Sequence, residues 1–414
     1  MTPETILKIM IAIISIDFIV ERILSFLNSK NKKKEIPEEL KGIYDEEKYM
    51  KSQRYQDESE RFGQVTSTFS FVLIIIILST GAFGILDDWL RQYALYNPLR
   101  TLMFFGTLFI ISDVINIPFQ IYSTFVIEEK YEFNKTTPKT FILDKIKGYL
   151  LTIIIGGILL SVLIFLVMQF GSEFWIYFWV VIGAFMLFMN MFYASLILPL
   201  FNKLIPLEDG GLRQAIQEYA SKVNFPLTNI FVIDGSKRSA KANAFFSGLG
   251  KKKKIVLYDT LIENHSQEEL VAVLAHEAGH FKKKHVIFSM IFGILQTGFM
   301  LYMLSLMINS SEVSWALGGQ TTALHLNMLA FGILYSPVST LLGIVGNIYS
   351  RKNEYEADEY AVKTFGGEPL KTALKKLSSD NLSNLLPHPW FVFVHYSHPT
   401  LLQRLRAMDA IEYS

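Results

Sequence analysis

Long apolar runs separated by short polar ones set the pattern of this chain. Seven stretches reach the roughly 20 residues that a helix needs to cross a hydrocarbon core. They are 6–27, 69–86, 101–127, 148–170, 174–201, 286–308 and 324–349. The first is the least pure, with Lys8, Asp17, Glu21 and Arg22 inside the run. It lacks the basic start and small-residue cleavage site of a signal peptide, so it reads as a retained helix. Asp113, Asn116, Asn190 and Asn347 sit inside later spans. Such groups face either a partner helix or a wet interior.

The loops then orient the spans, because cytoplasmic loops carry an excess of Lys and Arg. The first loop holds Lys30, Lys32, Lys33, Lys34, Lys41, Lys48, Lys51, Arg54 and Arg61. The third holds Lys130, Lys135, Lys139, Lys145 and Lys147, and the fifth contains Lys251 through Lys254. The opposite loops hold little beyond Arg91 and Arg100. Seven spans put every basic loop on one side, with the N-terminus outside and the C-terminus in the cytoplasm.

Residues 202–285 break the apolar pattern. Residues 211–223 read as an amphipathic helix, and 229–234 and 253–258 as short strands. Residues 241–247 offer a further strand before a turn at Gly248–Gly250. Ser266 and Glu269 form a capping box that opens another helix. The predicted fold is mainly α, a seven-transmembrane-helix protein with a small α+β insert on the cytoplasmic side. Its parts are 1–201 (spans one to five), 202–285 (the insert), 286–349 (spans six and seven) and 350–414 (a C-terminal cytoplasmic segment).

Composition narrows the chemistry. The 414 residues are 51% hydrophobic and 19% charged, with net charge +1 and no Cys. The absence of Cys excludes disulfides, thiolate metal sites and cysteine nucleophiles. The balanced charge gives no footprint for nucleic acid. The bilayer is the one partner that composition itself supplies.

The capped helix contains His276-Glu277-Ala278-Gly279-His280. Two His four residues apart share one helical face and can reach one zinc ion, one per chain. Glu277 between them can take a proton from an attacking water. A catalytic zinc wants a third protein ligand. The segment 350–360 (SRKNEYEADEY) offers Glu354, Glu356, Asp358 and Glu359; Glu354 could be that ligand, with Asp358 one turn on to hold a ligand His from behind. His280 just precedes span six and Glu354 just follows span seven, so the two spans return the chain to the same face. His285, five residues past His280, is expected to point elsewhere, at the membrane interface.

These segments, with IEEKYEFNKTTPKTFILD (127–144), AKANAFFSG (240–248) and HYSHPTLLQRLRAM (395–408), resemble the CAAX prenyl protease 1 family of integral-membrane zinc metallopeptidases. The resemblance covers nearly the whole chain. It implies a gluzincin-type endopeptidase whose seven helices enclose a water-filled chamber. His276, His280 and Glu354 match its zinc ligands, and Glu277 its catalytic base. Asp358 matches an acidic residue behind the ligands. His398 and Arg404 match residues near the scissile bond. Asn243 and Ala244 match an edge strand that pairs with the substrate, a peptide or protein with or without a lipid. His395 and His388 are the weaker candidates for the place of His398. Short loops, no Cys and an end at AIEYS without an ER-retrieval signal point to a bacterial inner membrane. An HtpX-like membrane quality-control protease is the neighbouring alternative. A transporter or receptor with an incidental HExxH is a distant one. Oligomeric state is not legible in the sequence.

Overall fold

The computed structural model describes residues 1–31, 46–94, 96–247 and 253–412. Much of the first basic loop and the Gly248–Gly250 turn lie outside the described residues. The chain is mainly helical. The N-terminal half comprises α1 (Pro3–Lys30), α2 (Glu46–Ser79), α3 (Ala82–Arg91), α4 (Asn97–Tyr122), α5 (Pro138–Leu151), α6 (Gly157–Phe170), α7 (Phe174–Leu196) and α8 (Leu198–Phe201). A π-type turn extends α4 to Glu128, and another joins α5 to α6. The insert adds α9 (Gly211–Lys222), α10 (Asp259–Asn264) and α11 (Gln267–Lys282). Then come α12 (His285–Ser305), α13 (Ser311–Ala316), α14 (Leu324–Thr364), α15 (Gly367–Asp380), α16 (Pro389–His395) and α17 (Leu401–Glu412).

Five helical stretches among the described residues are long and apolar enough to cross a membrane: Glu46–Ser79, Asn97–Glu128, Pro138–Phe201, His285–Ser305 and Leu324–Thr364. The third is 64 residues long. At 1.5 Å per residue it would span about 96 Å, roughly three hydrocarbon thicknesses. It is broken at Gly171–Glu173, where Gly171 takes φ 53°. Glycine adopts that left-handed backbone without strain. Spans four and five of the sequence reading lie on either side of this turn. α1 is continuous, but its internal charges keep it outside the five. Ile110, Ile154, Ile158, Val180 and Leu295 present large exposed apolar surface, as lipid-facing residues do.

The insert forms a four-stranded sheet in the order β1-β2-β4-β3, from β1 (Leu204–Pro206), β2 (Leu227–Ile233), β3 (Ala244–Ser247) and β4 (Lys253–Tyr258). β2 and β4 run parallel, and β1 and β3 pair antiparallel at the two edges. β1 carries no alternating pattern and was not legible in the sequence. Alternation along β4 splits the two faces of the sheet. Ile255 and Leu257 join the main core with Ile216, Leu270, Leu274, Leu405 and Met408. Val256 faces the other way, onto Ala194 of α7 and Leu198 of α8. The sheet is therefore held between the site helices and the end of a membrane helix.

Two departures from the sequence reading shape the site. The seventh apolar run and the acidic segment after it are one helix, the 41-residue α14. By contrast α11 does not run on into α12. It ends at Lys282, and Lys284 takes φ 59° before α12 begins at His285.

Candidate active site

α11 carries the HExxH sequence. Its capping box is formed, with Ser266 Oγ accepting from the Glu269 amide at 3.3 Å and Glu269 Oε2 accepting from the Ser266 amide at 2.9 Å. This helix crosses α14 at Gly279. A Cβ there would sit 2.9 Å from the Ala357 Cα, closer than real Cβ contacts come. The glycine therefore lets the backbones touch, and that contact brings the acidic turn of α14 beneath the two histidines.

His276, His280 and Glu354 meet at one point, with one ligand atom from each within 4.8 Å of the others. The His276 and His280 Nε2 atoms are 3.2 Å apart. His276 Nε2 lies 3.4 Å from Glu354 Oε2, and His280 Nε2 lies 3.2 Å from Glu354 Oε1. A tetrahedral ion with ligand bonds of about 2.0–2.1 Å has edges of about 3.3 Å. The three separations fit that figure. Glu354 Oε2 is moreover sealed from water with no hydrogen-bond partner among the described residues. A buried carboxylate oxygen left in this way is costly unless a cation completes it. The donor set, two imidazoles and a carboxylate, suits zinc.

Behind the cluster, Asp358 Oδ1 lies 2.8 Å from His276 Nδ1. Asp358 itself is fully buried. Arg404 of α17 donates to it twice, from Nη2 to Oδ1 at 2.6 Å and from Nε to Oδ2 at 2.8 Å. Its remaining nitrogen, Nη1, is 3.5 Å from Glu354 Oε2. Burial works against the charge of Arg404, and Asp358 more than restores it, so the guanidinium titrates above its ordinary value. For His276 burial favours the neutral ring. The hydrogen bond to Asp358 and the Glu354 carboxylate beside the ring outweigh it and raise the imidazole to about 9.

Glu277 is half-buried on α11, between the two histidines in sequence. His398 is brought to the cluster by the turn before α17. Its Nε2 lies 3.3 Å from Glu354 Oε1, and its side chain is 62% exposed, open to a substrate. Its partial enclosure pushes it below the usual imidazole value, against the pull of Glu354. The two competing histidines are employed elsewhere. His395 pairs with Glu21 of α1 at 3.3 Å, and His388 Nδ1 caps α16 by accepting from the Trp390 amide.

Asn243 and Ala244 lie where β3 begins, on the outer edge of the sheet. The Asn243 carbonyl accepts from the Tyr258 amide at 3.1 Å. Phe246 of β3 packs edge-on against Phe225, which meets Phe281 of α11 in the same way. The edge strand is thus tied to the end of the HExxH helix.

One expectation is corrected. His285 is buried, not interfacial, and its Nδ1 lies 3.0 Å from His280 Nδ1. Counting five residues along a continuous helix put it on another face. The left-handed residue at Lys284 turns the chain and folds His285 back.

An HExxH helix, a carboxylate from a membrane-crossing helix and a sheet-edge strand together define an integral-membrane metalloprotease. The sequence matches the model of peptidase family M48 over residues 206–412. Residues 25–203 match the N-terminal part of the CAAX prenyl proteases, described as five membrane helices. The chain is 38% identical over 389 residues to the CAAX prenyl protease 1 homolog of Arabidopsis thaliana, with 90% of each chain covered. It is 34% identical over 405 residues to CAAX prenyl protease 1 of Saccharomyces cerevisiae, covering 91% of this chain and 89% of that one. The crystal structure of S. mikatae Ste24p superposes with a TM-score of 0.93 at 32% identity, over 98% of this chain and 99% of that one. The chain belongs to the CAAX prenyl protease 1 family.

Proposed function

We propose that this chain is a zinc endopeptidase that cleaves the C-terminal peptide of prenylated CAAX-type substrates at the membrane surface. One observation carries the chemistry: two imidazole nitrogens of α11 and the Glu354 carboxylate of α14 stand 3.2–3.4 Å apart, near the edge length of a tetrahedral metal site, with Glu277 also on α11. The substrate class rests on the relatives, whose resemblance runs through 90% of both chains.

His276, His280 and Glu354 would hold the zinc. When bound, zinc supplies a Lewis acid for the scissile carbonyl and makes water acidic enough to react near neutral pH. Glu277 accepts the proton of the attacking water and delivers it to the leaving amine. His398 donates from its exposed ring to the oxygen that gains charge in the transition state. Asp358 holds His276 by Nδ1, and so keeps Nε2 free to face the metal. Arg404 locks Asp358 and presents Nη1 toward the cluster. The substrate backbone pairs with β3 at Asn243 and Ala244, adding a strand to the open edge.

The membrane part is read as seven spans: α1, the five stretches above, and the division of Pro138–Phe201 at its glycine turn. The N-terminus then lies outside, and the site and the C-terminus face the cytoplasm. A water-filled interior is supported by a cavity of about 730 Å³ among α1, α2 and α4. Asp17, Glu21, Arg22, Gln64, Ser67 and Asn116 line it beside Ile14, Phe18, Phe71 and Ile74, and polar groups of this kind face water or a partner helix.

Metal analysis of purified protein, followed by cleavage of a farnesylated CAAX peptide with and without chelator, tests this reading. About one zinc per chain and chelator-sensitive cleavage are expected. A folded chain that takes up no zinc, or holds zinc and leaves both farnesylated and unlipidated peptides intact, would overturn it.

A further inference from the structure

The two metal-facing histidines are supported differently. His276 has a carboxylate directly behind it, Asp358 at 2.8 Å. Behind His280 stands a second histidine instead. His280 Nδ1 lies 3.0 Å from His285 Nδ1, and His285 Nε2 lies 3.2 Å from Glu356 Oε2. His285 is buried, while Glu356 is half-buried near the rim.

With a metal on His280 Nε2, the proton assignment along this row has one consistent solution. His280 then gives its Nε2 lone pair to the metal and carries its proton on Nδ1. That proton is donated to His285 Nδ1, which must therefore be bare. His285 then carries its own proton on Nε2 and donates it to the Glu356 carboxylate. Each imidazole is neutral, and each hydrogen bond has one donor and one acceptor. The fold is built for this contact, since it needs the chain reversal at Lys284 and places His285 at the first position of α12.

We propose that His285 and Glu356 are positioning residues for the metal: a carboxylate–histidine relay that fixes the tautomer and ring orientation of His280. The relay rests on the zinc reading above. It adds that the site has two carboxylate supports, one direct through Asp358 and one indirect through His285. It also places the start of α12, a membrane-crossing helix, in mechanical contact with a metal ligand.

Zinc affinity by chelator competition, on full-length protein in detergent, tests the relay without recourse to turnover. His285→Ala should weaken zinc binding about 10–100-fold, the usual consequence of losing a partner behind a ligand histidine. His285→Asn keeps an oxygen that can accept from His280 Nδ1, so it should stay within about threefold of the wild type. Glu356→Ala, at a partly exposed position, should cost at least about threefold and carries the test if His285→Ala fails to fold. The relay is overturned if either Ala variant binds zinc as the wild type does. It is equally overturned if His285→Asn falls as far as His285→Ala, since the side chain then acts by packing alone. A wild-type protein that binds no zinc would instead sink the metalloprotease reading itself.

Discussion

Arg404 and Asp358 are joined by two parallel charge-assisted hydrogen bonds, at 2.6 and 2.8 Å, with both side chains almost sealed from water. This pair links the C-terminal helix α17 to the turn of α14 that carries Glu354. Removing one member of a buried ion pair leaves the other charge uncompensated, at a cost of about 3–5 kcal/mol. Arg404→Met should therefore lower the unfolding midpoint and weaken zinc retention together. Arg404→Lys should restore little, because an ammonium cannot reproduce the two-pronged geometry. Differential scanning fluorimetry with a zinc assay on the same samples reads both effects. Full recovery by Lys would show that charge alone suffices.

Gly279 offers a steric test of the α11–α14 crossing. An added Cβ would press on the Ala357 backbone, which has no side-chain end that can move aside. Gly279→Ala should destabilise by about 1–3 kcal/mol, the usual cost of overpacking. The damage should fall on zinc retention more than on helix content, since the helices separate where the ligands converge. Unchanged zinc retention by Gly279→Ala would argue that the crossing does not set the site.

The pH dependence of metal uptake follows from His276. Its imidazole, raised from 6.5 to about 9 in the metal-free fold, holds a proton that the unfolded chain has largely lost above pH 6.5. The stabilisation from this proton is complete below pH 6.5 and fades as pH rises through 9. Zinc must displace the same proton. Apparent zinc affinity should therefore rise about tenfold per pH unit between 6.5 and 9, then level off. Isothermal titration in buffers of different ionisation enthalpy would count the proton released. Affinity independent of pH across that window would remove His276 from the metal.

Lys241 tests the edge strand from behind. Its ammonium lies 3.0 Å from the Tyr55 hydroxyl and 3.0 Å from Glu128 Oε2, above the Phe133 ring. These contacts pin the chain two residues before Asn243. Lys241→Met keeps the apolar stem and releases the anchor. KM for a peptide substrate should rise several-fold with kcat little changed, because strand pairing acts in binding. A fall in kcat at constant KM would place β3 outside the substrate path.

Much of this arrangement was legible in the sequence because it rests on local rules. The capping box at Ser266 and Glu269, the four-residue His spacing and the strand at 253–258 depend on residues close together in the chain. The convergence of Glu354 on the histidines followed from counting an even number of spans. The continuity of α14 from membrane to ligand was not foreseen, because the polarity change at Ser350 reads as a boundary and the backbone ignores it. β1 was missed because three residues ending in proline carry no period. His285 was misplaced by a single left-handed residue at Lys284, a position with no sequence signal for a turn.

The most direct test of the account is the cleavage rate of Glu277→Gln, measured beside its zinc content. The substitution preserves shape and removes the proton acceptor. Zinc should remain at about one per chain while kcat for a farnesylated CAAX peptide falls about 10²–10⁴-fold. A zinc-loaded Glu277→Gln protein that cleaves within tenfold of the wild-type rate would contradict the account.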